Sequence, residues 1–239
     1  MGVTTLISPH FDDAVLSCWH LVGADADLRI VNVFTGTPGT PGPHGWWDRL
    51  TGATDSQERM RERAAEDLTA LATGGRSAVA LDFLDEQYRD EAQPLDPIVE
   101  RLRSEIQPGC RLVAPAALGD HTDHALARDA CAALIDEGYP LTLYADLPGA
   151  TRYDWPVWVT GGEPDPYLSV DVYWRDALAG AGFDPDALRP VVHELDGPEL
   201  DRKLKALRHY RTQAAALRTY ARLDDPEVLR YEVTWDVPG

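Results

Sequence analysis

Residues 4–18 read TTLISPHFDDAVLSC, an apolar run that closes on His10 and the adjacent pair Asp12 and Asp13, with an apolar helical pattern following. The arrangement recurs at 112–127, LVAPAALGDHTDHALA, where His121, Asp123 and His124 stand just beyond a second apolar run. Two strand ends that each deliver imidazole and carboxylate are what a mononuclear metal site on an α/β sheet needs. Nitrogen and oxygen ligands without thiolate suit Zn2+, and an open coordination position makes such a site catalytic rather than structural.

Outward from these motifs the chain alternates. Residues 3–7, 29–34, 77–84, 111–115 and 140–145 are short, apolar or β-branched and bounded by turn formers. Helical patterns lie near 13–23, 56–73, 95–106 and 123–137. The order predicts a Rossmann-like α/β fold, a mostly parallel sheet flanked by helices on both faces. Asp55 or Ser56 is available to cap the helix at 56–73, and Gly74 with Gly75 stops it. Ligands in such sheets bind beyond the carboxyl ends of the strands, the edge where both histidine motifs fall. After residue 146 the alternation weakens. LPGATRYDWPVWV and the turn at GGEPDPY suggest an antiparallel excursion, and a polar helix is expected near 198–220. Residues 1–239 therefore read as a single domain with a less regular C-terminal extension over 147–239.

Residues 35–54, TGTPGTPGPHGWWDRLTGAT, are too long for a routine connection. A loop of this length is usually a lid or binding loop, and Trp46 and Trp47 offer faces for a sugar ring or acyl chain. The competing reading is that both tryptophans pack into the edge of the core.

Composition narrows the partners. With 22 basic and 40 acidic residues the chain carries −18 at pH 7, which argues against duplex nucleic acid or an anionic membrane. No segment reaches the roughly 18–20 apolar residues of a membrane span. A strand beginning within a few residues of Met1 leaves no room for a signal peptide, and a cytoplasmic location is expected. Cys18, Cys110 and Cys131 are widely spaced and form no C-x-x-C pair, so reduced thiols are expected.

The residues themselves leave some roles open. Asp12 and Asp13 cannot point the same way, so one can bind metal while the other faces water as a general base. Either can instead merely cap a helix. His121 and His124, at i and i+3, share a helix face, where one can ligate while the other sits over a substrate. Asp123 can orient an imidazole. Asp85 and Arg89, after the third strand, are candidates for sugar hydroxyls and for an anionic group, although Arg89 reads equally well as a structural ion pair. His20 reads as a satisfied core histidine, and Tyr210 and Gln213 as packing and polar surface.

SPHFDDAVLS together with HTDH resembles the metal-dependent de-N-acetylases of the PIG-L/LmbE-like superfamily. RAAEDLTALATGGRSAVALDFLDEQYRD (63–90) and KLKALRHYRTQ (203–213) are similar to further segments of that family. The resemblance implies a Zn2+-dependent hydrolase that removes an N-acyl group, acetyl above all, from an amino sugar or related small molecule. It makes His10, Asp13 and His124 the metal ligands and Asp12 the base that activates water. It makes His121, with Asp123 as partner, the group that stabilises the oxyanion and protonates the leaving amine. Phe11 and Ala14 stand where many members have Pro and Glu, which bears on subfamily and substrate rather than on chemistry. Hydrolysis of another N-acyl amine such as an N-acyl amino acid, a magnesium-binding receiver-like module and an inactive binding module are the competing readings.

Overall fold

A computed structural model of the chain describes residues 2–24, 27–221 and 225–238. Seven strands form one sheet: β1 (Thr4–Ser8), β2 (Leu28–Asn32), β3 (Ala78–Ala80), β4 (Arg111–Pro115), β5 (Leu141–Tyr144), β6 (Arg189–Glu194) and β7 (Tyr231–Asp236), in the order β3-β2-β1-β4-β5-β7-β6. The first five are parallel, with Leu6 opposite Ile30 on one side and Val113 on the other. The central strands β1, β4 and β5 are buried along most of their length, which is why they read as apolar runs rather than alternating ones.

Strand order reverses at β1 and β4, the two strands that carry the histidine motifs. At such a switch point the following connections leave in opposite directions and open a crevice at the carboxyl edge. The sequence spacing therefore translates directly into proximity.

Asp55 caps the Ser56–Ala72 helix by accepting a hydrogen bond from the Glu58 amide, and Gly75 follows at φ +72°. The first helix departs from the expected 13–23 span. It divides at Cys18, whose φ/ψ of −137°/36° is not helical, into Asp13–Ser17 and Trp19–Val22. Glu232, buried on β7, accepts the Trp19 and His20 amides and holds the turned segment. Its carboxylate also bonds His20 Nδ1 at 2.6 Å and Lys203 Nζ at 2.7 Å, so His20 is a satisfied structural histidine. A receiver-like site would need a free lysine late in the sheet, and Lys203 is consumed by this buried pair.

The C-terminal part corrects the expectation more substantially. Residues 147–162 form short turns and the Val157–Thr160 helix, not an antiparallel excursion. The antiparallel strands are β6 and β7, with β7 paired to β5. Tertiary packing fixes this arrangement. Trp155, Trp174 and Trp235, distant in sequence, are all buried, with ring centroids 5.8 and 5.4 Å apart in successive edge-on contacts. The helix expected near 198–220 is likewise two, Gly197–Leu207 and Arg211–Ala221. All three cysteines are buried and unpaired. Among the described residues no helix is long and apolar enough to cross a membrane.

Candidate active site

Five side chains at the carboxyl edge build the centre. His10, Asp12 and Asp13 follow β1, and His121 and His124 follow β4. Asp13 Oδ2 accepts the His10 amide at 2.7 Å, which folds the loop back on itself and presents the carboxylate to two imidazoles. It lies 3.3 Å from His10 Nδ1 and 3.5 Å from His124 Nε2. His121 completes the group, with its ring centroid 4.9 Å from that of His10 and 4.8 Å from that of His124. Ring nitrogens of His10, His121 and His124 gather within 4.8 Å of one another, as do donor atoms of His10, Asp85 and Asp123. His10, Asp13 and His124 could hold a metal: Asp13 bridges the two most buried imidazoles, whereas His121 keeps a side chain 38% exposed.

Carboxylates hold the outer nitrogens of both buried imidazoles. Asp123 Oδ2 lies 3.1 Å from His10 Nε2, and Asp146 Oδ2 lies 2.8 Å from His124 Nδ1. Such contacts fix ring orientation and raise basicity. Asp123 is therefore not a side-chain partner of His121; only its amide reaches that ring, at 3.3 Å. The acid nearest His121 is Glu86, 3.7 Å from Nε2 and half-buried. Asp146 escaped the sequence reading, although its position directly after β5, at the same edge, was a usable signal.

The charge pattern suits a cation. Burial works against protonation of His10, but Asp123 and Asp13 outweigh it and raise the imidazole well above its usual range. His124 is raised in the same way, against burial, by Asp13 and Asp146. Asp13 resists burial through His124 and His10, which hold its carboxyl down at about 2. A cluster that stabilises two imidazolium protons this strongly is one in which a divalent ion can replace both. The residues fit the metal that the resemblance implies.

Asp12 behaves differently. It occupies the N-cap position of Asp13–Ser17, yet its side chain makes no capping hydrogen bond, which removes the simple structural account. Burial, and then the charge on Asp13, raise its pKa above the ordinary carboxylate value. Burial and the neighbouring His10 and His124 charges push His121 the other way, down to about 3.

The cavity over this centre measures about 180 Å³ and is lined by Asp12, Asp13, Arg63, Asp85, Trp47 and Gln213, among others. Trp46 also lines it, and the loop at 35–54 contributes a short helix, Trp46–Leu50. Trp46 is 58% exposed and meets Trp47 edge-on, so the reading of both rings as core is set aside. Buried Asp48 ties the segment down by accepting the Tyr88 hydroxyl at 2.6 Å. Trp47 Nε1 donates to Gln213 Oε1. Gln213 is thus a buried pocket residue rather than polar surface.

Arg89 is corrected as a substrate-facing group. Its guanidinium lies 2.5 Å from Asp123 Oδ1, packs 5.3 Å over the Phe34 ring and bonds the Leu84 carbonyl. The pocket guanidinium is Arg63, 3.4 Å from Asp85 Oδ2. It went unread because helical arginines usually face water. Its spacing with Met60, Asp67, Ala70 and Leu71 along one buried stripe was the available signal. Tyr210 is also more than packing. Its hydroxyl is shared between the Phe11 carbonyl at 3.1 Å and buried Asp67 at 2.7 Å, directly behind Asp12.

Comparison with known proteins bears on the family and the fold. Over 177 residues, 64% of this chain, the sequence is 32% identical to a 2'-N-acetylparomamine deacetylase of Streptomyces fradiae; the match spans 60% of that relative's length. An antimicrobial pseudoaglycone deacetylase of known structure is 28% identical, with a TM-score of 0.71 over 99% of this chain and 97% of that one. A teicoplanin deacetylase solved in a zinc-inhibited form shares the fold, with 24% identity and a TM-score of 0.70 over 98% and 97% of the two chains. Residues 5–135 match the family model described as PIG-L, GlcNAc-PI de-N-acetylase, and the chain belongs to that family.

Proposed function

We propose that this protein is a zinc-dependent N-deacetylase acting on an N-acetylated amino sugar or a closely related small molecule of secondary metabolism. The observation that carries the proposal is Asp13 set between His10 and His124, with Asp12 beside it in the pocket and committed to no cap. Deacetylation of an amino sugar is also what the names of the relatives describe.

His10, Asp13 and His124 would hold Zn2+, which when bound would supply a Lewis acid and lower the pKa of water from 15.7 to about 7. Asp12, partly desolvated and raised in pKa, takes the proton from the attacking water. His121, which faces the same cavity, meets the developing oxyanion as a hydrogen-bond donor. The proton taken by Asp12 then passes to the departing nitrogen, since the carboxyl faces the same cavity. Asp85 and Arg63 bind hydroxyls of the substrate, and the two tryptophans cover its apolar face.

Mass spectrometry of a panel containing N-acetylglucosamine derivatives, N-acyl amino acids and acylated aminocyclitols tests the assignment. Acetate release from the sugar or cyclitol members is expected. Asp12→Asn should keep its metal and lose about 10²–10⁴-fold in kcat, while Asp13→Ala should lose metal as well. Near wild-type turnover by Asp12→Asn would remove Asp12 as the base.

A further inference from the structure

Three successive backbone carbonyls in the first histidine motif each have a partner. Ser8 Oγ donates to the His10 carbonyl at 2.6 Å, and the Leu16 amide donates to the Asp12 carbonyl at 3.0 Å. Both of these donors are local. The Phe11 carbonyl between them is engaged from 199 residues away, by the Tyr210 hydroxyl at 3.1 Å. That carbonyl and the Asp12 amide are the two ends of one planar peptide group. The same amide is the backbone donor that acts on the Asp12 carboxylate. With no capping hydrogen bond on the side chain, the plane of this peptide sets where the carboxylate points.

Tyr210 stands in the break between Gly197–Leu207 and Arg211–Ala221, and other elements hold it there. Asn32, the last residue of β2, donates through Nδ2 to Asp67 Oδ2 at 2.8 Å, and Asp67 Oδ1 accepts the Tyr210 hydroxyl at 2.7 Å. Glu66, beside Asp67 on the Ser56–Ala72 helix, accepts the Thr212 hydroxyl at 2.7 Å and the Thr212 amide at 3.1 Å. Adjacent acids on one helix thus clamp the junction that carries Tyr210. Asn32, Asp67 and Tyr210 are all buried. Packing alone gives no reason for this path, since apolar side chains of the same volume fill a core without the cost of burying a carboxylate. Delivery of a hydroxyl to one particular peptide does give a reason.

We infer that Tyr210, steadied by Asp67, is a positioning residue for the general base, holding the Phe11–Asp12 peptide so that the Asp12 carboxylate faces the metal pocket. The inference rests on the deacetylase reading, in which Asp12 takes the proton of the attacking water. Tyr210 acts through the peptide and does not itself line that pocket. A donor on the carbonyl also polarises the peptide, so the Asp12 amide at its other end becomes the stronger donor to the carboxylate.

Tyr210→Phe in the zinc-loaded protein removes one oxygen and leaves the ring. On the N-acetylglucosamine derivative that releases most acetate, its kcat should fall about tenfold, the weight of one hydrogen bond, with KM and bound zinc unchanged. Tyr144→Phe is the control for structure. The Tyr144 hydroxyl is buried and donates to the Ile7 carbonyl at 3.1 Å, so its loss removes the same kind of bond from β1 without touching the Asp12 peptide. This variant should lose a similar amount of melting temperature and keep the wild-type kcat. Asp67→Asn, which still offers the phenol a polar partner, should retain more kcat than Asp67→Ala, and adding Tyr210→Phe to Asp67→Ala should cost little more. Wild-type kcat in Tyr210→Phe, or an equal loss in Tyr144→Phe, overturns the positioning role. Absence of acetate from every substrate overturns the deacetylase reading instead. Hydrogen exchange of the amides of residues 10–14 then still reads the positioning, with rates expected about tenfold faster in Tyr210→Phe than in Tyr144→Phe. Equal rates in the two variants overturn it.

Discussion

Asp123 and His10 are joined across the switch point of the sheet, Oδ2 to Nε2 at 3.1 Å, although they follow strands far apart in the chain. The other oxygen of Asp123 is held by Arg89, and Oδ2 also accepts the Glu86 amide. Asp123 is therefore a buried brace for one proposed metal ligand, with both its oxygens engaged by protein groups.

Asp123→Asn should weaken metal binding by about 10–100-fold, the usual consequence of losing a carboxylate behind a histidine ligand. Competition with a chelator reads this directly. Saturating metal should restore much of the turnover, because Asp12 and His121 remain in place. A catalytic role for Asp123 through His121 makes the opposite forecast: normal metal affinity and turnover that metal does not rescue.

Trp47 and Gln213 connect the 35–54 loop to the final helical pair across the mouth of the pocket. Gln213→Ala frees the indole N–H, and Trp46→Ala removes an exposed face that contributes little to packing. Each should raise KM or alter substrate choice, with a melting temperature within a few degrees of wild type. Should Trp46→Ala melt much earlier and keep its specificity, the loop is structural and the stacking role is wrong.

Asp67 supplies a pH-dependent contribution to stability. Burial is the main reason its pKa is raised from 3.8 to about 7, hydrogen bonds from Tyr210 and Asn32 acting against it. A raised carboxyl binds a proton in the fold that the unfolded chain has released. Its contribution is complete below about 3.8 and is lost as pH rises through about 7. Asn32 Oδ1 is buried without a partner, and rotation of that amide lets it accept from a protonated Asp67. Asp67→Asn preserves such a donor at every pH. Thermal melts of this variant should show a flatter decline between pH 4 and 7 than the wild type, and an unchanged slope would place the titration elsewhere.

Much of the site was legible in the sequence because parallel α/β topology converts local motifs into global position. A residue just past a strand lies at the carboxyl edge, so His10, Asp12, Asp13, His121 and His124 could be gathered from spacing alone. Local chemistry likewise fixed the Asp55 cap and the central strands, whose apolar runs have few alternative uses. Contacts that depend on how separate elements face one another were not legible. Asp123 turns to His10 rather than to its neighbour His121, and Arg89 turns to Asp123 rather than to the pocket, because both are buried and each needs the other's charge. Tertiary packing alone also decided the C-terminal half. The tryptophans at 155, 174 and 235 pack together beside the pairing of β7 with β5, and helix breaks at Cys18 and near Tyr210 coincide with partners on remote elements. The sequence by itself thus determined which edge of the sheet carries the chemistry, through strand order and residue type. The tertiary structure decided which charged side chains serve the metal ligands and which line the cavity, since burial makes each unpaired charge seek the nearest opposite one.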